Sequence, residues 1–197
     1  MPIKPTDVDL ANAAEAYTDF LKYLGVWETM DREAQENTPL RVARTFKELF
    51  GATLPEINFT TFDVDEETAK QVVFVGNLEF ASLCAHHHLP FSGVVHVAYY
   101  PGTKVCGLSK IPRVVEMFTH GALIQEECCA AIASCLLQKL EPKGVAVWME
   151  AEHTCMAIRG VRKPGHTVIT QAWRGIYCDE PWLKEEFISL VKGTRRV

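Results

Sequence analysis

No stretch of this sequence approaches the roughly 18 consecutive apolar residues that a membrane-spanning helix requires. The opening MPIKPTDVDL has no apolar core of signal-peptide length, so a cytoplasmic chain is expected. Nor is positive charge in excess. The 197 residues carry a formal net charge of −5, which excludes the whole-surface basic field of a nucleic-acid binder while leaving room for local basic sites. Internal repeats, low-complexity segments and linkers are missing, and so is any C-x-x-C pair. The cysteines number seven, an odd count, which points to free thiols or metal ligands in a reducing compartment. What is present suits a folded chain. Of its residues 48% are hydrophobic and 23% charged, enough for one domain with a small helical extension.

The pattern of apolar residues orders the chain. Leu10, Ala13, Ala14, Tyr17, Phe20, Leu21 and Leu24 recur at helical steps within DVDLANAAEAYTDFLKYLG, which Gly25 ends. A second helix is expected over TPLRVARTFKELFG, with Thr38 as its cap and Pro39 in its first turn. Strands are expected over 71–85 and 93–100, joined by a loop, with a turn at PGTK. Two helical segments follow, SKIPRVVEMFTH and ALIQEECCAAIASCLLQKL. Strands return at GVAVWMEAEHTCMAIRG and TVITQAWRGIY, and a last helix, DEPWLKEEFISLVKG, has Asp179 at its cap. This order predicts an α+β fold, a four-stranded antiparallel sheet with helices on one face. Its edges stay open, and oligomerisation is one means of covering them.

Two clusters carry the chemistry. The first is LCAHHHLPF, where Cys84 precedes His86, His87 and His88. Zinc favours thiolate and imidazole, and neighbouring side chains on an extended chain point to opposite sides, so His86 and His87 are unlike in role. Cys84 and His87 converge if the chain turns before Pro90. The second is AEHTCMAIRG, where His153 and Cys155 are two apart on an expected strand and so on one face. Three protein ligands would leave a position open for water, the catalytic zinc pattern, and the remaining histidines would be free to move protons near neutral pH. A structural zinc site fits the same spacing. His96, His120 and His166 read as surface or satisfied core histidines, and Cys106, Cys128, Cys129, Cys135 and Cys178 as small buried apolar groups.

Several motifs in order resemble the GTP cyclohydrolase I family. CAHHHLPFSGVVHVAYYP is similar to its C-E-H-H…P-F-x-G-x-V-H-x-x-Y-x-P segment, GLSKIPRVVEMF to its G-L-S-K-x-x-R, IQEE to its Q-E-R, and HTCMAIRGV to its H-x-C-M-x-x-R-G. TPLRVARTFKELF resembles its N-terminal helix and RGIYCDEPWLKEEFISLV its C-terminal one. The resemblance implies zinc held by Cys84, His87 and Cys155, with His86 and His153 as the acid/base pair. It implies triphosphate contacts from Lys110, Arg113 and Arg159, with Ser109 adding a hydrogen bond. Glu126 would read the guanine, with Gln125 beside it among the substrate-binding residues. Lys110 and Arg113 lie on one helical face, and fixed cations suit a triphosphate. The implied reaction opens the imidazole ring of GTP, releases formate and forms 7,8-dihydroneopterin triphosphate, the first product of tetrahydrofolate and other pterin biosynthesis. The implied architecture is a tunnelling fold, with residues 1–70 as an N-terminal helical region and 71–197 as the catalytic domain of a single functional unit. Its sheets close an oligomeric barrel, in the family a homodecamer with sites between subunits.

The chain departs from the family pattern at Ala85, where the family has glutamate, and at Glu127, where it has arginine. One reading is that these two side chains normally pair and are lost together. A non-catalytic zinc-stabilised oligomer of the same fold and a homologue acting on a related purine nucleotide are the alternatives. The H-x-E and P-C-x-x-C pattern of the zinc deaminases is missing.

Overall fold

The computed structural model describes residues 9–51 and 57–194. Two compact units divide the chain, Met1–Leu54 and Pro55–Val197. The first holds α1 (Asp9–Tyr23) and α2 (Arg32–Gly51) with a short 3-10 turn between them. Gly25 adopts φ +70°, the left-handed closing residue expected of it, while Asp7 and Val8 of the expected first helix fall outside the described residues. The second helix starts earlier than Thr38. Asp31 provides the cap, its Oδ1 accepting from the Ala34 N–H at 2.8 Å, and Pro39 lies inside the helix. The capping residue was there to be read, but the proline after Thr38 gave a stronger signal.

The second unit holds β1 (Thr61–Asp63), β2 (Val73–Cys84), β3 (Pro90–Tyr100), β4 (Lys104–Cys106), α3 (Lys110–Thr119), β5 (Ala122–Leu123), α4 (Gln125–Leu140), β6 (Gly144–His153), α5 (Thr154–Ala157), β7 (Val168–Gly175), α6 (Ile176–Asp179) and α7 (Pro181–Thr194). The main sheet has five strands in the order β5-β2-β3-β6-β7, and β1 and β4 form a separate pair. The four long strands are antiparallel as expected. The fifth, β5, arises where the segment before α4 runs parallel to the end of β2, pairing Leu83 with Ala122 and Cys84 with Leu123.

Helices cover both faces of this sheet, which corrects the one-face expectation. Along β3 and β6, Val95, Val97, Tyr99, Val145, Val147 and Met149 join the core beneath α3 and α4. The alternate residues Ala98, Ala146 and Trp148 cluster instead with Leu183, Phe187 and Val191, the i, i+4, i+8 stripe of α7. Pro181 takes the first position of α7, and Asp179 belongs to the helical turn before it rather than to its cap. His96 is a satisfied core histidine, as read from the sequence. It is 1% exposed, and its Nδ1 accepts from the Asn77 N–H at 3.3 Å.

Burial under these helices keeps several acids neutral. It pushes the Cys129 thiol up to about 11 and the Cys128 thiol to about 12. Tyr100 is raised to about 12 by burial and by Glu186, to which it donates at 2.7 Å, and burial raises Tyr99 and Tyr177 further still. In an unfolded chain thiols ionise near ~8.5 and phenols near ~10. Stability is therefore full below those values and drains away as pH rises toward the folded ones. The urea midpoint should fall steadily between about pH 9 and 11, with phenolate absorbance growing only as the chain unfolds. A midpoint that is flat across that window would overturn the assignment.

Candidate metal centre and active site

Two connections at one end of the main sheet build the site. The first is the β2–β3 turn. Cys84 donates its N–H to Leu89 O at 2.9 Å, and the N–H groups of His87 and His88 both reach Cys84 O, at 3.3 and 2.8 Å. His88 closes the turn at φ +52°, a left-handed conformation that histidine tolerates better than most residues do. That turn is what curls His87 back over Cys84.

The second connection is the end of β6. An ideal strand through residue 160 would have put His153 and Cys155 on one face. Instead β6 stops at His153 and the chain turns into α5, anchored by Thr154 Oγ1 on Pro90 O at 2.6 Å. The two residues are thereby separated in role. Cys155 joins Cys84 and His87, with one ligand atom from each lying within 4.8 Å of the others. His153 stays on the sheet.

The donor set fits zinc. A tetrahedral ion with Zn–S near 2.3 Å and Zn–N near 2.0 Å holds such donors about 3.6–3.8 Å apart, which small side-chain rotations reach from here. Burial and then the adjacent Cys84 raise the Cys155 thiol above its ordinary value, because side-by-side thiolates repel and a cation is what offsets them. His86 lies outside the triad, exposed, with its Nδ1 3.7 Å from Cys84 Sγ. Arg159, also exposed, donates to His87 Nε2 at 2.9 Å.

His153 is the most constrained side chain of the site. The β3–β6 ladder pairs it with Phe91, whose ring stacks on the imidazole at 4.5 Å and 6°. At Gly93 any Cβ would run into the Glu150 carbonyl, so this glycine is what lets the two strands close up next to that pair. The His153 Nε2 meets Gln125 Oε1 at 2.9 Å, and its main-chain N–H donates to His166 Nε2 at 3.2 Å. Burial, and then His166, hold the His153 imidazole below its ordinary value, while Glu126 pulls the other way.

Of the expected site residues, the structure thus brings Cys84, His87, Cys155, His86, Arg159, His153, Gln125 and Glu126 to one end of the sheet. Ser109, Lys110 and Arg113 lie at the start of α3. Among the described residues, no side-chain hydrogen bond or ion pair links that group to the metal triad. Lys110 acts electrostatically on Cys106 instead. Ala85 donates its N–H to Leu123 O at 3.0 Å, two residues ahead of α4, whose first turn carries Glu127.

Phe91 and His166 were missed as site residues. The signal for both was register. Every β6–β7 pair sums to 319, from Gly144 with Gly175 to Ala151 with Val168, and carrying that count onward sets His166 against His153.

The family description "GTP cyclohydrolase I" matches residues 13–192. GTP cyclohydrolase 1 of Listeria monocytogenes serovar 1/2a is 42% identical over 188 residues, covering 94% of this chain and 97% of that one. The Aquifex aeolicus protein of the same name is 41% identical over 186 residues, covering 94% and 98%. A crystal structure of apo archaeosine synthase QueF-Like overlaps 53% of this chain and 93% of that chain at 18% identity, with a TM-score of 0.44, too low to bear on the fold.

Proposed function

Because the chain belongs to the GTP cyclohydrolase I family, we propose that it hydrolyses the imidazole ring of GTP, releasing C8 as formate and forming 7,8-dihydroneopterin triphosphate. The observation that carries the reading is the convergence of Cys84, His87 and Cys155 just beyond the end of β6, whose last residue is His153. Release of formate consumes two waters, and closure of the pterin ring returns one. Cys84, His87 and Cys155 would hold a zinc ion, which when bound supplies Lewis acidity near neutral pH.

The remaining work falls to the protein's own groups. His153 takes a proton from the attacking water and returns it to the imidazole-ring nitrogen as the C8 bond breaks, and His86 assists opening from the exposed side. Glu126, in the first turn of α4, accepts from the guanine N1–H and 2-amino group, a pair of adjacent donors matched by one carboxylate. Lys110, Arg113 and Ser109 meet the triphosphate at the start of α3, where the helix N-terminus adds its own positive end. Arg159 supplies a further cation.

The open sheet edges support a site shared between subunits. β7 ends the sheet, and β5 pairs with only the last two residues of β2. We take these edges to pair between copies in a tunnelling-fold barrel, the family's decamer, with the N-terminal helices as an appendage to the catalytic unit. A cytoplasmic enzyme with no nucleic-acid or membrane partner fits the composition, and among the described residues no helix is long and apolar enough to cross a membrane.

The test is incubation of zinc-loaded protein with GTP, followed by formate assay, fluorescence of the oxidised pterin, and light scattering of the same preparation. Formate and pterin in equal amounts from a large homo-oligomer are expected. Bound metal with neither product would replace the proposal with a zinc-stabilised oligomer. Activity from a monomer would overturn the shared site.

A further inference from the structure

Gln125 opens α4, yet its side chain is 3% exposed and turned inward toward β6 and β7. Its amide nitrogen lies 3.3 Å from Met149 O, 3.1 Å from Val168 O and 3.2 Å from Thr170 Oγ1. Two of these are main-chain carbonyls, which only accept. They settle which end of the carboxamide is nitrogen, a choice that crystallographic density at ordinary resolution does not make.

The other end is therefore oxygen, and it faces His153 Nε2 at 2.9 Å. An amide oxygen cannot donate, so His153 Nε2 must carry a hydrogen. In the neutral imidazole the lone pair then belongs to Nδ1. Main-chain carbonyls on β6 and β7 thus dictate, through one side chain of α4, the tautomer of the histidine that ends β6.

The ring has little freedom to escape this. It lies flat on Phe91, which is fully buried. Its main-chain N–H is taken by His166 Nε2, and His166 Nδ1 in turn donates to Lys163 O at 2.6 Å. A flip would break the contact to Gln125 and leave a buried amide oxygen without a partner.

We propose that Gln125 is a positioning residue. Its carboxamide commits His153 to the Nε2–H form, aims the ring, and makes Nδ1 the atom that exchanges a proton with the nucleotide. The inference rests on the reading of His153 as the proton-transfer residue. It gives the Gln125 side chain no contact with substrate, since its polar atoms are already engaged within the chain.

The two roles separate kinetically. In Gln125→Leu, a positioning role predicts a fall in kcat of about 10–100-fold with KM for GTP nearly unchanged. On a His153→Ala background the same substitution should cost nothing further, because its effect passes through the missing ring. A rise in KM at constant kcat would overturn the proposal in favour of substrate contact, and so would a loss that is additive with His153→Ala. Should Gln125→Leu fail to fold, neutron diffraction from the unaltered protein decides. Deuterium on His153 Nε2 supports the assignment whether or not the preparation turns over GTP, and deuterium on Nδ1 alone overturns it. An unaltered preparation that releases no formate overturns the activity reading instead.

Discussion

Replacing Cys155 with alanine should lower formate release from GTP by more than about 100-fold and strip zinc from the protein in the same step. The size follows from position. Losing a partner that merely orients a metal ligand typically costs 10–100-fold, and Cys155 is one of the three donors that converge among the described residues, so its loss should exceed that range. The fold should survive. Cys155 is half-buried on the four-residue α5, packed against the core beneath α3 and α4 without being one of its fully buried members. Metal content by atomic absorption, formate yield and a thermal melt on one preparation check all three parts. A variant that keeps both its zinc and its activity would remove Cys155 from the ligand set and with it the proposed centre.

His153→Ala should produce the complementary result: kcat down by about 10²–10⁴-fold, the usual worth of a positioned acid or base, with zinc retained. His153 is the last residue of β6 and lies outside the Cys84, His87 and Cys155 triad, so its removal takes no donor from the metal. The truncation leaves Gln125 Oε1 without its partner and uncovers one face of Phe91, a stability cost of about 1–3 kcal/mol from the unsatisfied amide alone. Activity must therefore be compared at a temperature well below the variant's own melting transition. Loss of zinc in this variant would mean that the histidine ligates the metal, as the spacing His153-x-Cys155 first suggested. Full activity would remove it from the chemistry.

The sequence displayed the metal triad more plainly than the frame around it. Cys84 and His87 were readable because a turn before Pro90 is local, and local geometry follows from few residues. Cys155 was readable as a candidate from its spacing, but its separation from His153 came by resemblance, since an ideal strand would have grouped the two. What separates them is the helical turn at Thr154, held by Pro90 O, a contact between segments 64 residues apart. The second helical face of the sheet was harder to see for a similar reason. β6 is buried through six consecutive residues, so it lacks the polar alternation that would have declared one face wet. The early start of α2 was visible in Asp31 but masked by a proline that reads as a beginning. Gln125 kept its motif position and acquired an inward aim that no local pattern encodes.

The ten contiguous pairs joining β3 to β6 also act as a ruler for the chemistry. Side chains alternate between faces, so a slip of one residue would send the His153 ring toward α7, away from Phe91, Gln125 and the metal donors together. No intermediate displacement exists, because the ladder moves in whole residues. The site is therefore assembled or absent as a unit, and its error-proofing lies in the count of paired residues rather than in any bond to the histidine itself.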